Sequence, residues 1–111
     1  MAFGDVNGDG TPDIVVGADG ASYVDVYDGM SPGTKLYRVT GIVGDAFGST
    51  VETGDVTGDG SDEVLVGAYA WDGPPGTDQG YMRVFDGPTG TPLFELQGEK
   101  ATDTFGASIA V

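Results

Sequence analysis

Short β-branched runs, each bounded by Gly or Asp, punctuate the chain, and within them apolar and polar positions alternate. Tyr23, Asp25 and Tyr27 interleave with Val24 and Val26 ahead of Asp28-Gly29. This period of two followed by a turn signal describes a strand with one buried face. Runs of this kind predict strands near 13–18, 22–28 and 35–40, and again near 47–53, 62–68, 80–86 and 93–97. No stretch carries a 3.6-residue period with caps, and the spacing of Gly and Pro breaks any helix longer than two turns. The predicted class is all-β.

The strands fall into two copies of one unit. Gly4-Asp5-Val6-Asn7-Gly8-Asp9-Gly10 recurs as Gly54-Asp55-Val56-Thr57-Gly58-Asp59-Gly60, and each copy leads into a similar run, Ile14-Val15-Val16-Gly17-Ala18 and Val64-Leu65-Val66-Gly67-Ala68. Tyr23 to Gly29 then matches Tyr81 to Gly87, with the offset grown from 50 to 58 residues by an insertion around Trp71-Asp72-Gly73-Pro74-Pro75-Gly76. Four short antiparallel strands repeating every fifty-odd residues are the signature of a propeller blade. A small β-sandwich accounts for the strands but not for their repetition. The chain thus reads as one propeller segment, 1–111, with blade one at about 4–41 and blade two at about 47–98.

The repeated loops carry the candidate chemistry. Asp5, Asn7, Asp9 and Asp13 offer oxygens at alternate positions, the Thr11 carbonyl adds another, and Gly10 permits the positive φ that turns the chain around an ion. The second set is Asp55, Thr57, Asp59, the Ser61 carbonyl and Glu63, with Asp62 beside Glu63 as an alternative closing ligand. A hard dication such as Ca2+ wants six to eight oxygens, and the strict small octahedron of Mg2+ suits a crowded carboxylate loop poorly. The expectation is two Ca2+ sites per chain, the first the stronger because Thr57 is a poorer ligand than Asn7. The loops differ from the EF-hand in closing at the ninth position and in being flanked by strands. A plain hairpin turn would also use Asn-Gly-Asp-Gly, but it has no need of so many converging oxygens.

Composition sharpens the picture mainly by exclusion. The 111 residues hold no His and no Cys, so zinc sites, disulfides and imidazole or thiolate catalysis are ruled out. A net charge of −14, with four scattered cations, argues against nucleic acid and anionic membrane as partners. The four (Lys35, Arg38, Arg83 and Lys100) are expected to be solvated or paired with carboxylates.

Phe47-Gly48-Ser49 and Val66-Gly67-Ala68, either side of Gly54-Asp55-Val56-Thr57-Gly58-Asp59-Gly60, resemble the FG-GAP repeat of the integrin α-subunit propeller and its bacterial relatives. Phe105-Gly106-Ala107-Ser108 opens another copy and Gly17-Ala18 marks part of the first. The resemblance covers essentially the whole chain. It implies a β-propeller with a Ca2+ loop between the first and second strands of each blade, extracellular and used for binding rather than catalysis. Two features depart from the family: only two blades where seven are typical, and Asp19 and Tyr69 where Pro follows the Gly-Ala pair.

The function expected is a non-catalytic calcium-binding scaffold of integrin-like type, with a protein or glycan ligand. A carbohydrate-binding lectin is the alternative. Phe47, Phe105, Tyr23, Tyr27, Tyr81 and Phe85 are read as packing between blades. Trp71, in the insertion, either stacks on a ligand or caps a hydrophobic edge. Residues 105–111 align with the first strand at 47–53, whereas only Met1-Ala2-Phe3 precede Gly4. That mismatch, with no leader peptide before the first unit, reads as an engineered or repeat-derived fragment. Its expected partner is itself: residues 105–111 of a neighbouring chain fill blade one beside 13–18. Heterologous exchange of this kind closes a six-bladed trimer or an eight-bladed tetramer, the trimer being favoured by the small residues Gly106, Ala107, Ser108 and Ala110.

Overall fold

The computed structural model describes residues 1–31, 33–72, 78–99, 103, 106 and 109. Eight strands form two four-stranded antiparallel sheets, each in simple chain order. The first holds β1 (Ala2–Gly4), β2 (Asp13–Ala18), β3 (Tyr23–Tyr27) and β4 (Lys35–Thr40); the second holds β5 (Thr50–Gly54), β6 (Glu63–Ala68), β7 (Tyr81–Phe85) and β8 (Pro92–Gln97). Both sheets break register at one place, between Val26 and Tyr27 and between Val84 and Phe85. The duplication read from the sequence is therefore a duplication of structure, down to a bulge.

One expected gap is filled. Ala2, Phe3 and Gly4 form a first strand of their own, pairing with Val15, Ile14 and Asp13. β1 stops there, while β5 continues to Val51 and Thr50 opposite Val66 and Gly67. Residues 105–111, proposed for that part, lie outside the described residues apart from Gly106 and Ile109.

Strand geometry places successive side chains on opposite faces. In the first sheet, Val15, Val26 and Tyr37 line up on one face with Val24 and Val39. The second sheet meets it with its opposite face, which supplies Val51, Val64, Val66, Ala68, Tyr81 and Phe85, with Phe47 between them. Phe47 is fully buried, 6.1 Å edge-on to Phe85 and 6.3 Å from Tyr81. Its burial alone is worth about 2–3 kcal/mol. Trp71 is half-buried and packs at right angles on Tyr81 with ring centroids 5.3 Å apart. Tyr23 and Tyr27 instead face outward, under Arg38 (3.7 Å) and Lys35 (5.9 Å).

Glycine allows the sheets to close on one another. A methyl at Gly17 would overlap the Gly48 carbonyl, and one at Gly67 would overlap the Gly106 carbonyl in the same way. Gly106 thus stands to the second sheet as Gly48 stands to the first. Ile109 follows it onto Leu65, Met82 and Val84.

Two ion pairs occupy the same rungs with opposite polarity. Asp25 faces Arg38 across β3 and β4 at 2.6 Å, with Lys35 also at 3.2 Å; Arg83 faces Glu95 across β7 and β8 at 2.5 Å. Three of the four cations are therefore paired, and Lys100 is outside the described residues.

Buried Asp45 had no assigned role in the sequence. Its carboxylate accepts the N–H groups of Ile42 and Phe47, both at 2.8 Å, and the Tyr81 hydroxyl. Burial, and then Asp45, push the Tyr81 hydroxyl above its ordinary range, so it remains a donor. Asp45→Ala strands these donors in the seam. The expected cost is about 2 kcal/mol, read as a lower urea midpoint; an unchanged midpoint would refute this role.

Candidate metal centre

Each acidic loop joins the first strand of a sheet to the second, so two rigid, paired strands hold its ends. Gly8 and Gly10 (φ 76° and 87°) and Gly58 and Gly60 (φ 78° and 91°) give both loops the same left-handed turns. The turns aim backbone N–H groups at the opening aspartate. Asp5 accepts from Asp9 (3.0 Å) and Gly10 (2.9 Å); Asp55 accepts from Gly58 (2.8 Å), Asp59 (3.1 Å) and Gly60 (3.0 Å). The Gly60 N–H, with those of Gly58 and Asp59, holds the Asp55 carboxyl below its ordinary range in spite of desolvation. Thr11 and Ser61 donate their N–H groups to Asp9 and Asp59 at 2.9 and 3.0 Å, and the Asn7 amide oxygen accepts from Asp9 at 3.2 Å.

The structure brings three carboxylates of each set together. Oxygens of Asp5, Asp9 and Asp13 lie within 4.8 Å of one another, as do those of Asp55, Asp59 and Glu63. Like charges at such spacing repel by about 1 kcal/mol per pair in water and more where solvent is excluded. The closing carboxylates, at the first positions of β2 and β6, are both fully buried.

They differ in how they are satisfied. Asp13 is spent on the backbone, accepting from Val6 (3.0 Å), Asn7 (3.4 Å) and Gly29 (2.9 Å) through its two oxygens. Glu63 uses one oxygen for Val56 (2.9 Å), Thr57 N–H (3.0 Å) and the Thr57 hydroxyl (3.1 Å). Its other oxygen is buried without any hydrogen-bond partner. Thr57 thus fastens the closing carboxylate. Asp62, the alternative closing ligand, instead packs its carboxylate toward Gly4 of the first unit and gives its N–H to the Asp5 carbonyl at 2.9 Å. That role depends on the neighbouring unit and has no signal within the loop.

Two stacked four-stranded sheets, each with an acidic loop between its first and second strands, define an all-β repeat protein of propeller-like build. The chain belongs to the FG-GAP-like repeat family, whose model matches residues 5–66. No curated protein sequence matches it. Among solved structures, a rhamnogalacturonan lyase of Bacillus licheniformis shares the fold, with a TM-score of 0.59 at 20% identity over 95% of this chain. The chain spans 25% of the length of that lyase.

Proposed function

We propose that this chain is a calcium-binding, non-catalytic blade pair of the integrin-like kind, working as a scaffold in an extracellular setting. The carrying observation is Glu63: a fully buried carboxylate with one oxygen unpartnered, in a loop with two more carboxylates. An unmatched buried anion is costly, and a hard dication offsets that cost while quenching the repulsion around it. Asp5, Asn7, Asp9, the Thr11 carbonyl and Asp13 would hold one ion; Asp55, Thr57, Asp59, the Ser61 carbonyl and Glu63 the other. Calorimetric titration with CaCl2 tests the reading: two ions bound per chain are expected, and no heat of binding refutes it.

Two carboxylates outside the loops, Asp25 and Glu95, favour a non-catalytic role. A hydrogen bond from Arg38 holds Asp25 below the ordinary range, with Lys35 adding to it against desolvation. Burial pulls Glu95 up, but hydrogen bonds from Gln97 and Arg83 outweigh it and leave it lowered. A general acid needs a shift in the opposite direction. A cavity of about 150 Å3 lies between Ile42–Asp45 and Ala70–Asp72, smaller than the roughly 300 Å3 at which ligand pockets begin.

Equivalent positions in the two units support stacking on a further unit. Val6 and Val39, covered by the second sheet, are 0% and 7% exposed; their counterparts Val56 and Leu96 are 46% and 49% exposed, and Phe94 is 49% exposed. We propose that the outer face of the second unit receives the first unit of another copy, repeating the seam within the chain and closing a trimer or tetramer. Native mass measurement should give three or four times the 11.3 kDa of one chain, and Leu96→Lys should lower that mass. A folded monomer at full length would overturn the assembly.

A further inference from the structure

We infer that the peptide joining Ser61 to Asp62 couples the two acidic loops, so that a cation in the second tightens the first; the inference rests on the calcium reading above. The Asp62 N–H donates to the backbone carbonyl of Asp5 at 2.9 Å. Asp5 is the residue whose carboxylate organises the first loop, through Asp9 and Gly10. A peptide unit is planar, with its C=O and N–H pointing in opposite directions. The same unit that reaches Asp5 therefore carries, on its far side, the Ser61 carbonyl that the spacing assigns to the second loop's cation. A cation at that carbonyl polarises the unit and strengthens the N–H as a donor.

The surrounding seam leaves this link little room to slip. The Thr53 hydroxyl donates to the Phe3 carbonyl at 2.8 Å, and the Tyr37 hydroxyl to the Gly87 carbonyl at 2.8 Å. A methyl at Gly87 would overlap the carbonyl oxygens of both Asp62 and Val6, and one at Gly4 would overlap the Thr53 side chain. The entry to the first loop is thus clamped to the exit from the second. The corresponding position in the first loop is Pro12, which has no N–H to give. The device belongs to Asp62 alone among the two repeats, and coupling of binding free energies is reciprocal once present.

The test follows the amide resonances of Gly10 and Gly60 during calcium titration, each reporting its own loop. Disabling the second loop with Asp59→Asn is expected to weaken calcium binding at the first by about fivefold. In an Asp62→Pro background, which mimics Pro12, the same Asp59→Asn change should leave the first loop's affinity unaltered. Asp62→Ala keeps the N–H and should keep the fivefold effect. Deuterium exchange at the Asp62 amide needs no change at that residue: with the first loop disabled by Asp9→Asn, calcium should slow exchange about fivefold. The coupling is overturned if Asp59→Asn leaves the first loop unaffected, if Asp62→Pro retains the effect, if Asp62→Ala abolishes it, or if exchange is unchanged. No calcium response at either glycine overturns the calcium reading as well.

Discussion

Excess chelator is expected to lower the melting temperature of this protein by about 20 °C relative to calcium-saturated buffer. An ion that binds only the folded chain stabilises it by RT ln(1 + [L]/Kd), about 2.7 kcal/mol per site at a hundredfold excess over Kd, so about 5 kcal/mol for two. At this size each kcal/mol moves the midpoint by about 4 °C. Two bound dications also bring the net charge from −14 to about −10, easing repulsion across the whole chain. Magnesium should restore little of the loss, because its small octahedron cannot use the crowded loop. Melting followed by circular dichroism decides it: coincident curves with chelator and with calcium would refute the metal assignment.

Gly17→Ala should cost about 3 kcal/mol or more. The added carbon would collide with the carbonyl of Gly48, which is backbone on both sides of the contact, so no flexible side chain can yield. Gly10→Ala makes an instructive pair. Its φ of 87° disfavours a side chain, yet a Cβ there meets nothing within 4 Å. That change should cost only about 1 kcal/mol, the strain of a left-handed alanine. Urea unfolding of both variants separates packing from backbone strain, and equal losses would show that the inter-sheet contact is not tight.

Legibility in the sequence followed the range of the interactions. The strand predicted near 62–68 appears as Glu63–Ala68 because its β-branched run and flanking loop are local features. The strand predicted from 47 begins only at Thr50, since Gly48 turns with φ 96° to enter the seam. Ala2–Gly4 was too short to show alternation and exists as a strand because β2 supplies its partner. The loop carboxylates were legible because the duplication repeats their spacing. Asp45 was not, since its meaning depends on Tyr81, 36 residues away. Asp62 escaped for the same reason: its N–H partner, Asp5, belongs to the other unit.

The reversed polarity of the two cross-strand ion pairs bears on how a chain of near-copies avoids misassembly. Tandem units of similar sequence are liable to exchange strands while folding. Were β3 to pair with β8, Asp25 would face Glu95; were β7 to pair with β4, Arg83 would face Arg38. Either exchange sets like charges directly opposite, which destabilises a strand pair. The bulge and apolar positions are common to both units and cannot discriminate between them, so this inverted pair of charges works as a kinship mark, letting each strand reject its counterpart's partner.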